Sequence, residues 1–102
     1  MGSEAPQLTG RQRKHLRGLA HNFEPLVHVG GSGITEAVLR AVDGALLAHE
    51  LVKVRLHEPA DKRADAEGLA AGTGAALCGL IGHVVILYRP HPDNPKITVE
   101  SA

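Results

Sequence analysis

The chain has 102 residues, 43% hydrophobic and 22% charged, the balance of one folded domain and not of a disordered tail. Its formal net charge is zero, so total charge alone gives no sign of a polyanionic partner. Phe23 and Tyr88 are the only aromatic residues besides seven histidines, which excludes single-strand binding on a row of stacking platforms.

Residues 1–7 read as a flexible leader and 8–99 as one domain. Thr9 is placed to cap a first helix running to Asn22, with Leu8, Leu16, Leu19, Ala20 and Phe23 on its apolar face. Arg11, Arg13, Lys14 and Arg17 fall within seven residues, mostly off that face, with no acid between them. Two readings stand: a solvated helix surface, or a basic face with a partner. Pro25 leads into a strand over 26–29, followed by Gly30-Gly31-Ser32-Gly33. Thr35 then caps a second helix to His49, its buried stripe Val38, Leu39, Val42, Ala45 and Leu46. Gly44 inside that helix costs about 1 kcal/mol relative to Ala and implies close packing there.

The alternation over 51–57 predicts a half-buried strand, Val52, Val54 and Leu56 inward, Lys53, Arg55 and His57 on a basic outer side. Pro59 stops it, and an alanine-rich third helix over 61–71 ends in Gly72-Thr73-Gly74. Strands over 75–81 and 84–89 flank Gly82-His83, with glycine where a type II′ hairpin wants it. The unbroken apolar run 84–87 marks a strand buried on both faces. The tail, with Pro90, Pro92 and Pro95, is expected to be extended and to add a short edge segment at 96–99. The order α-β-α-β-α-β-β predicts an α/β domain of the α+β kind, one four-stranded mixed sheet with packed helices.

The loop Gly30-Gly31-Ser32-Gly33 carries the chemistry. Residues without Cβ let a partner approach the backbone, and the first amides of the following helix are unpaired at the positive end of its dipole. That is an anion site, and the common biological anion is phosphate. No lysine follows the loop, so the nucleotide-hydrolysing pattern fails, and Ile34 stands where a nucleophile elbow needs its last glycine. His49-Glu50 and His57-Glu58 are isolated pairs without zinc-ligand spacing. Cys78 is expected in the core, as is Tyr88. One cysteine excludes an internal disulfide and suits a reducing compartment, and no apolar run has the length of a membrane span. The expectation is a cytoplasmic binding protein with no catalytic, metal or cofactor site.

Four stretches carry a family resemblance: Leu8 to His21, Val29 to Glu36, His49 to Arg55 and Ile81 to Pro90. In order and spacing they resemble the CRM domain, the chloroplast RNA splicing and ribosome maturation module, in its free-standing bacterial YhbY form. The resemblance implies a fold similar to the C-terminal domain of bacterial translation initiation factor three. It also implies binding to RNA, specifically ribosomal RNA in precursors of the large subunit, with no membrane or DNA partner. The family's Gly-x-x-Gly loop falls on Gly30, Gly31, Ser32 and Gly33, and its basic helix on Arg11, Arg13, Lys14 and Arg17. Lys53, Arg55 and Arg89 are expected to extend that track on a monomer. The alternative is a module that docks on a ribosomal protein or assembly factor, its glycine loop merely a turn.

Overall fold

The expected element order holds in the computed structural model, which describes residues 5–99. It runs α1 (Gly10–Ala20), β1 (Val27–Val29), α2 (Glu36–His49), β2 (Leu51–Leu56), α3 (Lys62–Thr73), β3 (Ala76–Ile81) and β4 (Val84–Tyr88). Each helix starts on a side-chain cap. Thr9 and Gln12 form a capping box, Thr9 Oγ1 accepting from the Gln12 amide at 3.1 Å and Gln12 Oε1 from the Thr9 amide at 2.9 Å. Thr35 Oγ1 accepts from the Val38 amide, and the Asp61 carboxylate from the Ala64 amide. Gly74, left-handed at φ 70°, ends α3.

The sheet order is β1-β2-β4-β3, with β1 parallel to β2 and the other pairs antiparallel. The strand 84–88 is therefore interior, which accounts for its unbroken apolar run. Gly82 has φ 60°, as the first turn position between β3 and β4 requires.

The two faces of the sheet bury separate cores. Val29, Val52, Val54, Leu56, Val85 and Leu87 pack with Val42 and Leu46 of α2 and Ala66 and Leu69 of α3. On the opposite face Leu51, Cys78, Ile86 and Tyr88 pack under Leu16 and Ala20 of α1, with Ile97 and Val99 closing the edge. Full burial of each such Leu, Ile or Val contributes about 1.5–3 kcal/mol, so several side chains anchor each layer. Burial also pushes the Cys78 thiol up to about 11, against the pull of nearby Arg17 and Arg13, making it an inert core group.

Four local expectations are corrected. The first helix ends at Ala20, not Asn22, and the chain turns as the Phe23 amide reaches back to the Ala20 carbonyl. Phe23 thereby leaves the helical face and Leu19 lies at the edge of a narrow buried stripe; they are 43% and 42% exposed. A Cβ on Gly44 would meet nothing within 4 Å, whereas one on Gly72 would come within 2.8 Å of Leu39 Cδ2, so the close helix approach is made at Gly72. Residues 96–99 form no strand, because a side chain takes the amides of Lys96 and Ile97 instead.

That side chain is Glu50. It is 3% exposed, sits left-handed at φ 68° at the junction of α2 and β2, and accepts from the amides of His91 (2.7 Å), Ile97 (2.8 Å) and Lys96 (3.0 Å). Burial works against its charge, but the three amides and the nearby His91 hold its carboxyl below the ordinary value. The tail is thus strapped along α1's side of the sheet by one buried carboxylate.

Candidate nucleic-acid interface

Gly30 to Gly33 close a tight turn between β1 and α2, the Gly33 amide donating to the Gly30 carbonyl at 3.0 Å. Gly33 has φ 73°, a conformation that other residues adopt at a cost. Gly30 and Gly31 are different: their φ values are not left-handed, and a Cβ on either would meet nothing within 4 Å. The fold therefore explains one glycine of the loop and leaves two without an internal reason. Ser32 is exposed, and among the described residues the amides of Gly31 and Ser32 donate to no other protein group. Thr35 caps the helix that follows, with the loop just ahead of its first turn.

A second feature borders this loop. The helix α1 covers the sheet over Leu51, Ile86 and Tyr88 but leaves open the end bearing His28, Arg55 and Ile81. There a groove of about 310 Å³ runs between α1 and the sheet, with Arg17, His21, Lys53 and Arg55 on its walls and Ile81, Val84 and Ile86 on its floor. The helical spacing puts Lys14, Arg17 and His21 on one ridge facing that side. The basic residues of α1 and β2 thus meet in space, although about forty residues separate them in sequence.

These cations are not equivalent. Arg17 threads its stem over Gly79, where a Cβ would clash at 2.7 Å, and donates to the Cys78 carbonyl at 2.8 Å. The register of β3 against β4 shifts between Leu77 and Gly79, and such a bulge leaves a backbone group without a ladder partner. Arg17 supplies that partner and remains half-buried. Arg13 donates to the Leu8 carbonyl at 2.7 Å, and Lys53 to the carbonyls of His21 and Phe23 at the end of α1. Arg11, Lys14 and Arg55 are exposed and bond to nothing else among the described residues.

Arg89 does not join this surface. It leaves the far end of β4, beside Leu51 and away from the glycine loop, which adjoins the Leu56 end of β2. Its guanidinium donates to the Thr73 carbonyl at 2.6 Å, to Asp43 Oδ1 at 2.7 Å and to the Asp43 carbonyl at 3.1 Å. Arg89 is a tie between β4, α2 and α3, so its expected place on the basic track is corrected.

One cluster was not anticipated from the sequence. His28 and His57 stack at 5.1 Å between ring centroids, and His28 Nδ1 lies 2.8 Å from His57 Nε2. His28 is aligned with Arg55 across the parallel pair, and His57 also lines the cleft around the glycine loop. The pair therefore joins the loop to the basic groove. Glu58, Asp61 and Asp65 line the same cleft and give it an acidic component. Among the described residues no group of three or more His, Cys, Asp or Glu side chains is placed to hold a metal ion. No helix there is long and apolar enough to cross a membrane.

Comparison with known proteins gives a consistent result. The family model for the CRS1 / YhbY (CRM) domain matches residues 8–89. An RNA-binding protein of Haemophilus influenzae is 40% identical over 88 residues, covering 84% of this chain and 89% of that protein. The probable RNA-binding protein YqeI of Bacillus subtilis is 35% identical over 92 residues, covering 88% and 96%. The solution structure of a hypothetical protein from Staphylococcus aureus superposes with a TM-score of 0.80 at 35% identity, covering 92% of this chain and all of that one.

Proposed function

The chain belongs to the CRS1 / YhbY (CRM) domain family, and from that premise we propose that it binds structured RNA by its backbone. The RNA is ribosomal, carried in precursors of the large subunit, and the protein acts there as a cytoplasmic monomer by binding, without catalysis. Gly30, Gly31, Ser32 and Gly33 present amides, and the Ser32 hydroxyl, to a phosphate. Arg11, Arg13, Lys14, Arg17, Lys53 and Arg55 neutralise neighbouring phosphates; Arg89 is left out. The names of the Haemophilus and Bacillus relatives support RNA as the ligand. The observation that carries the loop's part is the pair Gly30 and Gly31, which neither crowding nor backbone conformation in the fold requires.

The test has two arms. A Gly31→Asp, Ser32→Asp double variant should fold as wild type, since both positions are exposed, and should lose binding to a structured ribosomal RNA fragment at moderate salt. Wild-type affinity in that variant refutes the role of the loop. In parallel, tagged protein sedimented with ribosomal particles should be enriched on large-subunit precursors and released by thorough nuclease treatment. Co-migration that survives digestion of the RNA points instead to docking on a ribosomal protein.

A further inference from the structure

We propose that the His28–His57 pair is a proton-holding unit of the RNA surface, so that RNA binding is accompanied by proton uptake at this pair. The inference rests on the RNA-binding reading above. Its basis is geometric. Two exposed imidazoles share one short N···N contact of 2.8 Å, which requires one nitrogen to donate and the other to accept. That bond exists in the uncharged pair and equally in the pair carrying one extra proton. Of the three charge states, only the doubly protonated one has no tautomer that can form it. A first proton therefore turns the pair into a compact cation without moving either ring.

The position gives that cation a purpose. His57 lines the cleft around Gly30 to Gly33, and His28 is aligned with Arg55 at the edge of the basic groove. A phosphate seated on the glycine loop lies beside the pair, and its negative charge favours the protonated state. The surroundings act in both directions. Arg55 on β2, and Arg17 across the groove on α1, oppose protonation, with His21 just after α1 also facing the groove; Glu58, Asp61 and Asp65, which line the cleft with His57, favour it. His83 also stands close, its carbonyl accepting from the Leu56 amide. The incoming polyanion tips this balance toward the charged pair. By linkage, a site that gains a proton on binding binds more tightly as pH falls.

The experiment measures the affinity for a labelled helical fragment of large-subunit ribosomal RNA, at constant ionic strength, from about pH 8 to about pH 6, the range in which imidazoles change charge. Wild-type affinity should rise as pH falls, by up to about tenfold per pH unit, the limit for uptake of one proton. In a His28→Gln, His57→Gln variant the side chains can still hydrogen-bond but cannot titrate, so the slope should flatten to what His21 and His83 contribute. A companion measurement needs no variant: the ring proton resonances of His28 and His57 in wild type should move toward the protonated form when RNA is added at fixed pH. Equal pH slopes in wild type and variant, or resonances unmoved by bound RNA, overturn the proposal and leave RNA binding standing. Absence of RNA binding by wild type at every pH overturns the RNA reading itself, and this inference with it.

Discussion

Replacing Arg55 and Arg89 by glutamine, one at a time, separates a cation that reaches solvent from one that holds the fold. Arg89 is the anchored one: its side chain is 17% exposed, that of its partner Asp43 58%. The ion pair, open to water on the Asp43 side, deserves little weight. The bond to the Thr73 carbonyl at the end of α3 matters more, because that carbonyl has no helical acceptor role left to fill. A charge-assisted bond of this kind contributes about 1.5–3 kcal/mol, so Arg89→Gln should cost about 2 kcal/mol. In a domain of this size that lowers the melting temperature by roughly 8–16 °C. Arg55 is exposed and makes no bond among the described residues, so Arg55→Gln should leave the stability within about 0.5 kcal/mol of wild type, roughly 2–4 °C in melting temperature. Binding should reverse the order. Each lost phosphate contact removes about one unit from the slope of log affinity against log salt. Between 50 and 200 mM salt, the loss of affinity by Arg55→Gln should therefore be smaller than that of wild type by a factor of about four. Arg89→Gln, measured well below its melting temperature, should keep the wild-type slope. The assays are thermal melting by circular dichroism and a salt titration of RNA affinity. If Arg89→Gln flattens the salt slope as much as Arg55→Gln does, the division of these cations by their hydrogen bonds is wrong.

Two further outcomes follow from the fold. Glu50→Gln should destabilise the chain at neutral pH, because an amide group replaces one acceptor oxygen opposite the His91, Lys96 and Ile97 amides. The Glu50 carboxyl lies below its ordinary 4.5, so its contribution is complete well above that value and is lost as pH falls from there through the lower, folded one; denaturant titrations should show the gap between wild type and variant closing over that acidic interval. Gly44→Ala should gain about 1 kcal/mol in the same assay, whereas Gly72→Ala should forfeit that gain because Leu39 must move. Equal gains at both positions would contradict the α2–α3 packing.

What the sequence made legible is local in origin. Thr9 caps α1 whatever else the chain does, and Val42 and Leu46 share a helix face by spacing alone. The alternation along β2 sorted Val52, Val54 and Leu56 from Lys53 and Arg55 because successive strand residues point to opposite faces. Pairing between distant elements was beyond that reach. Arg89 looked like one more cation after a strand, yet its partner Asp43 stands 46 residues away and is set by strand order. The contact of His28 with His57 depends on the parallel register of β1 on β2, and short strands carry little register information. Glu50, read as half of an isolated His-Glu pair, owes its role to a tail that begins forty residues later. Gly72, read as part of the segment that ends the third helix, lies inside α3, and its approach to Leu39 appears only when α3 is laid against α2.

The zero net charge is the point at which composition misleads most, because the charges are divided between the layers. The helix α1 carries Arg11, Arg13, Lys14 and Arg17 and no acid, and the sheet face beside it adds Lys53 and Arg55. The opposite layer mixes Glu36, Asp43, Asp65 and Glu67 with Arg40, Lys62 and Arg63. A polyanion is accordingly drawn to one side of the domain, and the glycine loop lies on the boundary between the two. With Glu58, Asp61 and Asp65 among the residues that line the loop's cleft, and His57, which stacks with His28, lining it too, a phosphate on the loop is favoured to continue towards the histidines. That direction leads over the histidines to Arg55 and Arg17, so on the proposed reading the acidic side chains of the cleft set the path of the RNA backbone as firmly as the basic groove attracts it.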